Sequence, residues 1–329
     1  MDQSGFAAYL KARALEDVRI TQTLTAAGRF EDWLGGLGLE RETLSEDNAA
    51  RYIADLAEAG LDDEYTLLAL ARYARFAGCA ALYTVVFSLL DGGEVMDNLH
   101  RILGERVGNV LRDLVFASIK QPTWGTDSRV KARRMQVVMA RIEAMVPREI
   151  WTGILSECLR DLPETLYQEA QENYELAPDV DAFLDMQQES FFAELEHYHS
   201  SGERYFNQPI TDEVMAYLQT HPDISRGEYR DGRVYVTKIP YLTDTWLREA
   251  DPFRRRYYYC HCPWARESLL GRPDNPPVSP EWCLCSAGFV KKKYEAIFGQ
   301  KLDAEILKSV LRGDEVCTFA IRLPEGAEM

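Results

Sequence analysis

Apolar residues recur at intervals of three and four through the first two-thirds of the chain, and only after His221 does the spacing fall to two. A period near 3.6 buries one stripe of a helix, whereas a period of two buries one face of a strand, so this change restricts the fold to a helical part followed by a mixed one. The segments "SGFAAYLKARAL", "RITQTLTAAGRFEDWLGGLG", "TLSEDNAARYIADLAEAG" and "DDEYTLLALARYARFAG" read as short helices. Ser45, followed by Glu46 and Asp47, supplies a helix start, and most of these helices end at or near glycine. Residues 80–120 continue as helix and "QPTWGTDS" is a loop. "RVKARRMQVVMARIEAMV", "PREIWTGILSECLRDL" and "DVDAFLDMQQESFFAELEHYH" are further helices, punctuated by Pro122, Pro147, Pro163 and Pro178.

Past His221, "YRDGRVYVTKI" carries the Asp231-Gly232 signal of a hairpin with alternation at Val234 and Val236. "RRYYYCHC" reads as a strand. "SAGFVKKKYEAIFG" reads as a helix with Ser286 as its N-cap and Gly299 as its stop, and "KLDAEILKSVLRGDEVCTFAIRL" as two strands joined through Gly313-Asp314. The expected fold class is therefore α+β, with an all-helical N-terminal region. Three segments follow from the same pattern: helices over 1–78, helices over 79–205, and an α+β domain over 206–329.

The 329 residues are 46% hydrophobic and 27% charged, enough to bury a core and too much for one small domain. No uncharged apolar run approaches the roughly 20 residues of a membrane span, and the start carries no basic segment before an apolar one. A cytoplasmic location is expected. The net charge of -16 is unevenly spread: residues 1–225 hold 20 Lys and Arg against 38 Asp and Glu, residues 226–329 hold 17 against 15. Such a field repels phosphate backbones and anionic lipid, which argues against nucleic acid or membrane partners.

Cysteine is the other uneven residue. Cys79 and Cys158 sit singly in helical patterns, as buried small hydrophobes do, while Cys260, Cys262, Cys283, Cys285 and Cys317 fall within the last 70 residues. An odd total without a secretory signal points to metal binding or thiol chemistry rather than a disulfide framework. On a strand Cys260 and Cys262 share a face, with His261 opposite. Cys283 and Cys285 precede a helix N-terminus, where thiolate is favoured. Zinc takes four S or N ligands, so these five cysteines suffice as its ligand set, though not with the usual Cys-x2-Cys spacing. Cys283 and Cys285 are also the leading candidates for a catalytic thiolate, and inert burial is the third reading. A second constellation, Glu194 with His197 and Glu196 with His199, has di-iron spacing but lies on one short stretch and reads as a solvated helix end.

Three family resemblances bear on these residues. From Cys283 onward, "CLCSAGFVKKKYEAIFGQKLDAEILKSVLRGDEVCTFAIRLP" resembles the 4-vinyl-reductase-type small-molecule-binding domain of phenol-sensing activators. Cys283, Gly288, Phe289, Phe298, Gly299, Gly313 and Cys317 fall on its pattern. The resemblance implies zinc at Cys283 and Cys317, but the other two ligand positions of that family hold Ile306 and Ser309. Cys260, Cys262 and Cys285 are the available replacements. "CPWARE" with "RGDEVCTFAI" is similar to L-2-amino-thiazoline-4-carboxylate hydrolase-like proteins, which implies hydrolysis of a small cyclic amino-acid derivative, with "RRRYYY" and "KKK" helping to hold its carboxylate. The helices of 1–78 resemble the core-binding domain of tyrosine recombinases in their "F..YL", "F..WL" and "L..ED...YI..L" pattern. No histidine is followed three residues on by arginine, and the segment carries a net charge of -6, so recombination is not expected.

The leading expectation is a small-molecule-binding protein with a zinc-thiolate site. The alternatives are a hydrolase of a small carboxylate, using Cys262, Cys283 or Cys285, and an interaction scaffold. The expected partners are a small-molecule ligand and a second copy of the chain in a homodimer.

Overall fold

The computed structural model describes residues 1–271 and 277–327. Its contacts group the chain into two compact units, Met1–Gly93 with Lys120–Lys131, and Glu94–Ile119 with Ala132–Met329. The helices of 79–205 are thus shared between both units, and residues 206–329 belong with most of them in the second. No described helix is long and apolar enough to cross a membrane.

The first unit holds five helices: α1 (Gln3–Lys11), α2 (Asp17–Leu37), α3 (Glu46–Glu58), α4 (Glu64–Phe76) and α5 (Ala80–Leu90). Local chemistry sets their starts. Asp2, Ser45 and Asp63 each accept a backbone N–H of the first turn, from Gly5, Asn48 and Thr66 at 2.9, 3.2 and 3.0 Å. Their apolar faces close over Phe6, Phe30, Tyr52 and Tyr73, with Phe6 and Tyr73 edge to face at 5.2 Å.

In the second unit the helices are α6 (Val95–Val107), α7 (Asn109–Val115), α8 (Ser128–Met145, of which Ala132 onward belongs here), α9 (Arg148–Ser156), α10 (Gln168–Leu176), α11 (Val180–Ser201), α12 (Asp212–Gln219), α13 (Pro222–Ser225), α14 (Thr243–Arg248), α15 (Pro252–Tyr259) and α16 (Leu284–Phe298). A two-residue pair, β1 (Arg204–Tyr205) with β2 (Gln208–Pro209), precedes the main sheet of β3 (Glu228–Arg230), β4 (Arg233–Thr237), β5 (Ala304–Lys308) and β6 (Thr318–Arg322). The main sheet is antiparallel in the order β3-β4-β6-β5. The chain is α+β, as its periodicities indicate.

The Asp231-Gly232 turn has φ of 51° and 69°, the left-handed pair a two-residue hairpin requires. Val234, Phe319 and Ile321 of the paired strands are fully buried, and Ile306 of β5 nearly so. They share one core with Leu99, Met135, Trp151 and Leu155 of the preceding helices and with Trp264, Trp282 and Tyr294.

Two local expectations are overturned. "RRYYYCHC" is not a strand: Asp251 accepts the N–H groups of Phe253 and Arg254 at 2.9 and 2.8 Å, Pro252 occupies the first helical position, and the three tyrosines follow as helix. An N-cap and a proline at N1 outweigh the β propensity of tyrosine. Nor is Ser286 an N-cap. A 3-10 turn, Pro280–Cys283, begins at Ser279 and runs directly into α16, placing Cys283 at the cap and Ser286 inside the first turn. Gly299, with φ of 62°, does end that helix.

Near its C-terminal end α16 is fastened by a buried ion pair. Lys291 Nζ meets Glu295 Oε1 at 2.8 Å with both side chains 4% exposed. The same two groups hold the backbone of Leu302, Lys291 donating to its carbonyl at 2.8 Å and Glu295 accepting from its N–H at 3.1 Å. Lys301 stands 3.8 Å from Glu295 Oε2 but is largely exposed, so removing Lys291 leaves the buried carboxylate with only that weaker partner. Lys291→Met is therefore expected to cost the second unit about 3 to 5 kcal/mol in urea unfolding, and Lys291→Met with Glu295→Leu less than the sum of the two single changes.

Candidate functional site

The five C-terminal cysteines come from three places in the second unit. Cys260 caps the C-terminus of α15, and Cys262 follows in a turn whose carbonyl accepts the N–H of Ala265 and Arg266 at 3.2 and 2.8 Å. Cys283 and Cys285 open α16. Cys317 immediately precedes β6, where its carbonyl accepts the N–H of Lys238 at 2.9 Å and carries the β4–β6 pairing one residue further. None is in a disulfide.

Tertiary contacts, rather than strand alternation, gather them. Cys260, Cys262 and Cys317 all act electrostatically on Cys283. Ser309 borders this group: its hydroxyl lies 3.1 Å from Cys283 Sγ and accepts the N–H of Leu311 at 3.1 Å. The indole of Trp282 donates to Cys262 Sγ at 3.2 Å. Among charged or polar groups Cys285 feels Cys262 of this set most, then Arg160, Cys158 and Lys238.

Burial governs the chemistry of these thiols. It pushes Cys260 up to about 12 and raises Cys283, Cys285 and Cys317 as well. A thiol held neutral is neither a nucleophile nor a metal ligand until something compensates the charge. The donor set suits zinc in kind, four sulfurs with hydroxyl and indole N–H groups directed at them. Among the described residues no three His, Cys, Asp or Glu side chains form a ready metal-binding group.

Other candidates lie elsewhere. Ile306 is a core residue of β5 and Ser309 is fully buried. His199 pairs with Asp212 at 2.8 Å and Glu196 at 3.8 Å at the exposed end of α11, the solvated arrangement its spacing suggested. Of the charged runs, Arg254 pairs with Glu249, Arg256 reaches the Gly313 carbonyl, and Lys291 is used by the ion pair above. They do not converge on the thiols.

The residues that do converge were not signalled by spacing. Cys158 lies past the end of α9 rather than within a helix, next to Cys285. Lys238 donates to Ser286 Oγ at 3.0 Å, and Arg160 stands over the Phe289 ring at 5.1 Å. Arg266 lies over Tyr241 and Tyr257 at 4.7 and 5.3 Å. The approach is set by Gly288, where an added Cβ would stand 2.6 Å from the Ser156 carbonyl oxygen and 3.2 Å from the Cys158 nitrogen.

Residues 245–327 match the model of a family of unknown function, DUF6144. No curated protein and no solved structure matches the chain. The matched stretch runs from α14 to the end of the sheet and holds all five clustered cysteines and Arg266.

Gly288→Ala tests this geometry. The gain in helix propensity is about 1 kcal/mol, but the obstructing atoms are backbone and cannot swing aside. A net loss of about 1 to 3 kcal/mol in urea unfolding is expected, with faster alkylation of Cys285 and Cys158 by a maleimide.

Proposed function

We propose that the second unit is a small-molecule-binding module of the 4-vinyl-reductase type, built round the thiols Cys260, Cys262, Cys283 and Cys317. The observation that carries this reading is the 3.1 Å approach of the Ser309 hydroxyl to Cys283 Sγ. Ser309 occupies the position where the resembled domain has a cysteine ligand, and it touches one of the two thiols that match. Zinc, when bound, would be held by these four cysteines and would keep their sulfurs as thiolates. Binding takes precedence over hydrolysis because burial raises the thiols of the candidate nucleophiles Cys283 and Cys285 and so disfavours the thiolate.

Metal analysis of the purified chain, with thiol titration before and after chelation, tests the metal centre. The expected outcome is about one zinc per chain, with the four thiols reacting only after chelation. A metal-free chain with one thiol alkylated far faster than the rest would sink the zinc-thiolate reading and favour thiol catalysis.

A further inference from the structure

Arg266 is 8% exposed, yet its Nε has no hydrogen-bond partner among the described residues. A guanidinium stays charged, and a buried Nε–H without an acceptor is costly even though Glu267 acts on the same group. The rings of Tyr241 and Tyr257 offset part of that cost through cation–π contact. Glu267, next in the chain, accepts from the Tyr257 hydroxyl at 2.9 Å.

Two further cations share the neighbourhood. Lys238 reaches the first turn of α16 at Ser286, and Arg160 lies over Phe289, on the next turn of the same helix. Tyr241, under Arg266, lies 5.2 Å from the His261 ring, on which Lys238, Arg160 and Arg266 all act electrostatically. The His261 Nε2 is 2.7 Å from the Ile239 carbonyl, which can only accept, so Nε2 carries the proton and Nδ1 the lone pair. The positive end of the α16 dipole adds to the same field.

We propose that Arg266, Lys238 and Arg160 form an anion subsite beside His261 and Cys285, and that its ligand is a small organic carboxylate gripped by the Arg266 guanidinium. A planar fork matches a planar carboxylate, and the aromatic rings beside it suit an unsaturated or ring-bearing acid. This deepens the small-molecule reading and needs no metal.

The full-length chain is titrated with benzoate, acetate, benzamide and inorganic phosphate, following thermal unfolding and heat of binding. Benzoate should raise the midpoint saturably and more than acetate, while benzamide, of the same shape without the charge, should not. Arg266→Gln should weaken benzoate about tenfold or more, as loss of a charge-assisted bidentate contact does. Arg266→Met should lose the benzoate shift while still unfolding cooperatively. Binding of phosphate but no carboxylate, equal shifts with benzamide, no saturable shift, or an undiminished benzoate shift in Arg266→Met would each overturn the assignment. Zinc content measured on the same samples separates the two ideas: a metal-free chain that still binds benzoate loses the zinc-thiolate centre and keeps the subsite.

Discussion

The second unit depends on how closely α16 approaches the chain that follows α9. Gly288 lets that helix lie against the backbone of Ser156 and Cys158, with no room for even a methyl group. With the helix there, its first turn presents Cys285 to Cys158, and Arg160 finds the Phe289 face. At its other end, Lys291 and Glu295 hold the incoming strand through Leu302. A helix fixed at both ends is a rigid base for what its N-terminus carries.

That N-terminus brings two kinds of group into one desolvated region. Low dielectric acts on them in opposite ways. The thiols respond by staying neutral, which is cheap, whereas guanidinium cannot shed its charge and must find an anion or remain unpaired. The thiols alone are thus compatible with an inert core, whereas the Nε–H of Arg266 finds no acceptor among the described residues.

Much of the architecture was legible in the chain. The Asp231-Gly232 hairpin, the two strands joined at Gly313, the stop at Gly299 and the start at Ser45 rest on local rules, since φ preference and capping depend on a few neighbouring residues. Where "RRYYYCHC" misled, two local signals competed, and Asp251 with Pro252 won over three tyrosines. Of the site, the cysteine concentration was visible, but not which thiols meet. Cys158 carried no signal, because its partner stands more than a hundred residues away.

The sequence by itself determined the order of helices and strands and the supply of thiols, because both are properties of composition and short-range pattern. Only the tertiary structure decided that Ser309 meets Cys283, that Lys238 reaches Ser286, and that Arg160 and Arg266 lie over Phe289 and Tyr241. Those pairings are set by the packing of α15, α16 and the β4–β6 edge, where shape and desolvation act between residues far apart in the chain.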